Sequence, residues 1–207
     1  MMNTLLLSIS LPVVAYLLGS IPFGLLFVRL RAKTDIRDIG SGNIGTTNVK
    51  RVLGTPWAVA TLICDVLKGF LPALAALYFF EEPYLWLPAI VSIAAICGHI
   101  YPIYLRFKPS GKGVATTLGC LLVIAPFATL LYLMVLVAAI YFSRRVSVGS
   151  LAGALLLPPA AWFTTHDPVV CATTIWIMVW ILIRHKENIE RLASGVEPAI
   201  RFNRRKA

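Results

Sequence analysis

The feature that most constrains this chain is a succession of apolar runs, over residues 4–28, 56–80, 84–105, 114–142, 148–163 and 169–183. Four of them match or exceed the ~20 residues that an α-helix needs to cross a hydrocarbon core of ~30 Å. Inside a bilayer no water satisfies the backbone, so runs of this length fold as helices that close their own hydrogen bonds. A hydrophobic fraction of 58% places most of the 207 residues in such helices. The expected fold is therefore an all-α integral membrane protein, a single polytopic domain over residues 1–207.

The first charged residue is Arg29. Residues 1–28 thus lack the basic start of a secretory signal, and no small-residue cleavage site follows the apolar run, so the segment reads as a retained span. Cys64, Cys97, Cys120 and Cys171 all fall in apolar segments without metal-ligand spacing and read as core residues.

A net charge of +10 raises the question of nucleic acid, but the distribution of the charges answers it. Residues 29–51 carry six Lys or Arg, residues 106–112 carry three, Arg144 and Arg145 form a pair, and residues 184–206 carry seven. The connections Glu81-Glu82-Pro83 and Thr165-His166-Asp167-Pro168 carry none. Lys and Arg are retained on the cytoplasmic side during insertion. The basic segments are therefore expected to be cytoplasmic and the two acidic turns external; no nucleic-acid partner is implied.

Parity then decides the run over residues 114–142, which begins and ends at basic segments. One span cannot do this, whereas two short helices meeting at Ala125-Pro126 can, with proline in the first turn of the second. This predicts seven transmembrane helices with the amino terminus external and the carboxyl terminus cytoplasmic. A single long tilted helix is the rival; it puts Arg144, Arg145 and the tail outside.

Three polar segments share the predicted cytoplasmic face: residues 41–51, residues 109–116, and residues 185–192 with Gly195 and Glu197. Their glycines admit close approach of backbone amides to an anion, their Ser, Thr and Asn side chains add neutral donors, and Arg51 and Lys112 add fixed charge. A helix beginning near Gly113 would turn its positive end toward the same place. The combination describes a phosphate site. No segment fits a Walker pattern, since Lys112 is followed by Gly113 where Ser or Thr is needed, which disfavours an NTPase.

Taken singly, each piece has a plainer reading. Loop glycines are usually turn residues, and Arg29, Arg31, Arg144, Arg145 and Arg204 to Lys206 read as topology determinants or snorkelling side chains. His99 and His166 give weak signals. His185 and Asn188 share a helix face at a spacing of three, beside Arg184 and near Arg191. Asp65 and Lys68, also three apart, read as a buried pair that orients its helix, although such charges usually face a partner or a polar cavity.

In order, GSGNIGTTNVKR, GKGVATTLG and HKENIERLASGVE are similar to the three signature segments of the bacterial acyl-phosphate-dependent glycerol-3-phosphate acyltransferases, the PlsY family. The resemblance extends over essentially the whole chain and includes DVLKG and GHIYPIY. The second segment departs from the family's usual Phe-Lys-Gly-Gly-Lys-Gly: Pro109 and Ser110 precede Gly111-Lys112-Gly113, so serine replaces one loop glycine.

The resemblance implies transfer of a fatty acyl group from acyl phosphate to the 1-hydroxyl of sn-glycerol 3-phosphate, giving 1-acylglycerol 3-phosphate (lysophosphatidic acid) and phosphate. This is an early acylation of phospholipid synthesis at the bacterial cytoplasmic (inner) membrane. It implies no acyl-CoA, no acyl carrier protein and no cofactor; the partners are the two substrates and membrane lipid. No metal is expected, because no cluster of carboxylates or histidines with ligand spacing faces the site. Carried over, Ser41, Gly42, Asn43, Thr47 and Arg51 hold a phosphoryl group and the developing oxyanion. Lys112, between Gly111 and Gly113, holds glycerol phosphate or bridges both phosphates. His185 and Asn188 complete the pocket, and Glu197 orients a basic partner.

Direct transfer is expected, with His185 or the donor's own phosphate oxygen accepting the proton; an acyl-Ser41 intermediate ranks last because no base lies beside Ser41 in its motif. Two other functions compete. A carrier of organic phosphates would place cationic groups near the midplane, whereas the motifs cluster on one face. A membrane acyltransferase of the other common type would show His and Asp separated by four residues, yet Tyr104 follows His99 and Glu190 follows His185 at that spacing.

Overall fold

The structure is a computed structural model that describes residues 2–79 and 86–200. The acidic turn at Glu81-Glu82-Pro83 and the residues Arg204 to Lys206 lie outside the described residues. The described residues form ten α-helices: α1 (Met2–Gly19), α2 (Phe23–Ala32), α3 (Thr46–Leu53), α4 (Thr55–Phe79), α5 (Trp86–Ile100), α6 (Val114–Ile124), α7 (Pro126–Ser143), α8 (Val146–Thr165), α9 (Pro168–Arg184) and α10 (Lys186–Ala193). Two 3-10 turns, Ile36–Asp38 and Ile103–Leu105, lie in the loops.

Length separates the helices into classes. At 1.5 Å per residue the 25 residues of α4 extend about 37 Å and the 20 of α8 about 30 Å, which suffices for a bilayer. The 11 residues of α6 reach only about 16 Å. Five helical segments are long and apolar enough to cross a membrane, and a sixth is gained if α9 and α10, bent by 59° at His185, are taken as one. The two helices expected on either side of Ala125-Pro126 are present, with Pro126 in the first turn of α7 where its missing N–H costs nothing.

Small residues let the helices approach closely, as in membrane bundles generally. A side chain at Gly19 of α1 would overlap the Ala95 carbonyl of α5, and one at Gly98 would overlap Tyr16. The α4–α6 contact repeats the device: Gly69 meets the Thr116 carbonyl and Gly119 meets that of Val66. The main core runs from Ala15 and Leu87 through Ile96, Leu121 and Tyr132 to Leu157 and Ile177, while Phe127, Met134 and Tyr141 stand exposed. Apolar residues thus fill the interior and cover the outside, the composition of a lipid-facing bundle.

Candidate active site

The first polar segment folds around Asn48 in α3. This residue is 1% exposed, and its amide donates to the carbonyls of Ile36 (3.2 Å), Ile39 (2.9 Å) and Asn43 (3.0 Å). Its Oδ1 accepts the Ser41 amide at 3.2 Å. Gly42 has φ +66°, a left-handed backbone open chiefly to glycine. Asn43 Oδ1 accepts the Gly45 amide at 2.8 Å and so closes the loop at the start of α3. No side chain caps α3, which leaves the first-turn amides at Thr46 and Thr47 directed at whatever lies before the helix. Thr47 and Arg51 are one turn apart on it. Ser41 and Arg51 are exposed, and the Ser41 hydroxyl has no hydrogen-bond partner among the described residues.

The second segment touches the first through the backbone: the Ile44 amide donates to the Ser110 carbonyl at 3.3 Å. Ser110 also donates its amide to Ile100 (3.0 Å) and its hydroxyl to the Lys108 carbonyl (2.7 Å), with φ outside the left-handed region. Serine is therefore accommodated where the PlsY-like pattern carries glycine. Gly113 does need its glycine, at φ +82°, and α6 starts directly after it without a side-chain cap.

Lys112 links the second segment to the third: its Nζ donates to Asn188 Oδ1. Asn188 in turn donates to Glu197 Oε1 (2.7 Å), which also accepts Ser147 Oγ (2.6 Å), while Arg191 Nε donates to Oε2 (2.8 Å). Arg145 Nε donates to the Glu197 carbonyl at 3.1 Å, so a residue read as a topology signal also holds the site's framework. Burial pushes the Glu197 carboxyl up, but the bonds from Ser147, Arg191 and Asn188 outweigh it and leave the group below its ordinary value.

His185 occupies the bend between α9 and α10 and is 3% exposed. Its Nδ1 lies 2.8 Å from the Ile181 carbonyl; a carbonyl only accepts, so Nδ1 carries the hydrogen and Nε2 keeps a free lone pair. Burial, followed by the Lys112 cation, pushes the imidazole down to about 4. Burial likewise pushes the Lys112 ammonium down to about 8, against the pull of Glu197.

These contacts connect all three segments. Asp65 and Lys68 do not reach that surface; they form a 2.8 Å pair inside the bundle. Sequence reasoning missed Asn48, Ser147 and Arg145, whose partners are backbone carbonyls or residues far along the chain.

The chain matches, over residues 9–195, the family model described as "Glycerol-3-phosphate acyltransferase". The chain belongs to the glycerol-3-phosphate acyltransferase family. It is similar to the glycerol-3-phosphate acyltransferase of Syntrophotalea carbinolica, with 45% identity over 88% of this chain and 92% of that one. The corresponding protein of Geobacter metallireducens is 46% identical over 93% and 97%. Among solved structures, the glycerol 3-phosphate form of PlsY (YgiH), an integral membrane glycerol 3-phosphate acyltransferase, superposes with a TM-score of 0.88 at 36% identity, covering 94% of this chain and 96% of that one. The lysophosphatidic acid form of PlsY gives 0.84 at 35%, over 94% and 95%.

Proposed function

We propose that this glycerol-3-phosphate acyltransferase takes its acyl group from acyl phosphate and passes it directly to the 1-hydroxyl of sn-glycerol 3-phosphate. The observation that carries the reading is the Lys112–Asn188 hydrogen bond, which sets a half-buried cation from the second motif against the polar network of the third. The two solved PlsY structures, in glycerol 3-phosphate and lysophosphatidic acid forms, support the acceptor and product assigned here.

Lys112 holds the glycerol phosphate with Asn188, and the start of α3 with Arg51 holds the donor's phosphoryl group. The paired cations offset repulsion between two anions, and the fixed amides at Thr46 and Thr47 need no reorganisation as charge moves onto the carbonyl oxygen. The hydroxyl oxygen attacks the acyl carbonyl, the carbonyl–phosphate bond breaks, and phosphate leaves. His185 Nε2 accepts the hydroxyl hydrogen as a hydrogen bond and aims it. An imidazole pushed to about 4 is a weak base in the substrate-free protein, which favours the leaving phosphate oxygen as final acceptor of the proton. Ser41 donates hydrogen bonds; with no base bonded to its hydroxyl, nothing activates it as a nucleophile.

The charge pattern supports seven membrane-embedded helices, α1, α4, α5, α6, α7, α8 and α9, with the amino terminus external and the three motifs facing the cytoplasm. The membrane is then the bacterial inner membrane, where an amphiphilic donor and a soluble dianion meet. Purified protein supplied with a long-chain acyl phosphate and glycerol 3-phosphate is expected to release lysophosphatidic acid and phosphate in equal amounts, with acyl-CoA inert. Activity with acyl-CoA alone would refute the donor assignment, and an acyl group trapped on Ser41 would refute direct transfer.

A further inference from the structure

Three ionisable side chains are buried inside the bundle beneath the loop that carries Lys112. Asp65 and Lys68 of α4 and His99 at the end of α5 are each at most 5% exposed. Lys68 Nζ lies 2.8 Å from Asp65 Oδ1 and donates to the Ile21 carbonyl at 2.9 Å, at the break between α1 and α2. Asp65 Oδ1 in turn lies 3.7 Å from His99 Nδ1. That approach is too long for a hydrogen bond, but the carboxylate still favours the hydrogen on Nδ1. The far edge of the ring, at Nε2, packs against Gly111, where any side chain would overlap Nε2, Cδ2 and the His99 carbonyl. A polar column therefore runs from the α1–α2 break through α4 and α5 to the residue before Lys112.

The loop above this column is under opposed constraints. Two bonds draw it toward the bundle: Ser110 N–H to the Ile100 carbonyl (3.0 Å), and Arg184 Nε to the Gly111 carbonyl (3.1 Å). The imidazole is the stop against which they pull. A buried charged pair can often be replaced by apolar residues without loss of stability, so stability alone gives a weak reason for keeping one inside a membrane bundle. Registry of the loop is a sufficient reason.

We propose that His99, steadied by the Asp65–Lys68 pair, is a positioning residue that fixes the height of Gly111 and so places the Lys112 ammonium for glycerol phosphate. The inference rests on the role given to Lys112 above. Lys112 meets the acceptor's phosphate equally before and during reaction, so misplacing it removes uniform binding, which appears in KM and not in kcat.

His99→Ala is expected to raise the KM for glycerol 3-phosphate by about tenfold, with kcat and the KM for acyl phosphate within about threefold of the parent. A histidine that only stabilises the fold would lower the active fraction, and hence kcat, at an unchanged KM; that result, or unaltered kinetics, overturns the proposal. Should His99→Ala fail to fold, Gly111→Ala keeps all three ionisable side chains and forces the loop and the imidazole apart. It is expected to raise the same KM, and a loss confined to kcat counts against the proposal. A parent protein unable to acylate glycerol 3-phosphate from any donor would refute the function itself, whereas an active parent with insensitive variants refutes only the positioning role.

Discussion

Lys112 has to be charged to hold a phosphate, yet it is placed where burial works against charge. Its ammonium is pushed down to about 8, so in the free enzyme a rise in pH through that value removes the cation proposed to bind glycerol 3-phosphate. The kcat/KM for the acceptor, which reports the free enzyme, should therefore fall above about pH 8, while kcat holds to higher pH because the bound dianion stabilises the ammonium. Lys112→Arg keeps a charge that does not titrate in this range. That variant is expected to be less active, since the Asn188 contact is shaped for an ammonium, but to lose the alkaline fall; a fall near pH 8 that survives would move the titrating group elsewhere. Residues of this kind were legible because polar groups are conspicuous in so apolar a chain, and Lys112, Asn188 and Glu197 do form one hydrogen-bonded network, with His185 close enough to feel the Lys112 cation. Asn48 and His99 were not, because their meaning lies in what they touch: three carbonyls of one loop in the first case, the Cα of a glycine in the other.

At the scale of elements, α6 decides where the second motif stands. Its first residue follows Gly113, and its seat in the bundle is the glycine contact with α4. Gly119→Ala would drive a methyl group into the Val66 carbonyl and force the helices apart. Overpacking of this sort costs about 1–3 kcal/mol, or roughly 2–12 °C in melting temperature for a chain of this size. A thermal melt in detergent should show that fall, together with reduced acyl transfer. Leu122→Ala, on the outer side of the same helix, should stay within about 0.5 kcal/mol of the parent. If both variants melted alike, the glycine contact would not be what seats α6. The break that separates α6 from α7 could be read in advance from Pro126. So could the shortness of α6, since residues 114–125 hold only about three turns. The break after α1 at Ser20-Ile21-Pro22, by contrast, lay concealed inside one uninterrupted apolar run.

For the whole molecule, the geometry of the α6–α7 pair bears on topology. α6 leaves from Lys112, and α7 ends at Arg144 and Arg145, which contact the carboxyl-terminal segment: the Arg144 carbonyl accepts the Ile200 amide at 2.7 Å, and Arg145 Nε reaches Glu197. Glu197 bonds Asn188, and Asn188 bonds Lys112, so both ends of the apolar stretch return to one end of the bundle. A single long helix would separate those ends by about 43 Å, 29 residues at 1.5 Å each, and could not close this chain of contacts. Positive charge had suggested the hairpin from sequence by its bias alone, without saying which residues would meet. Side of the membrane is a separate matter, and single cysteines test it in a variant whose four native cysteines are replaced. With a membrane-impermeant thiol reagent, Lys108→Cys and Arg144→Cys should be labelled in inverted inner-membrane vesicles and protected in intact spheroplasts, and His166→Cys should show the reverse. Labelling of Arg144→Cys from the outside while Lys108→Cys stays protected would break the hairpin, and inversion of all three would keep the fold but turn the motifs away from the cytoplasm that supplies glycerol phosphate.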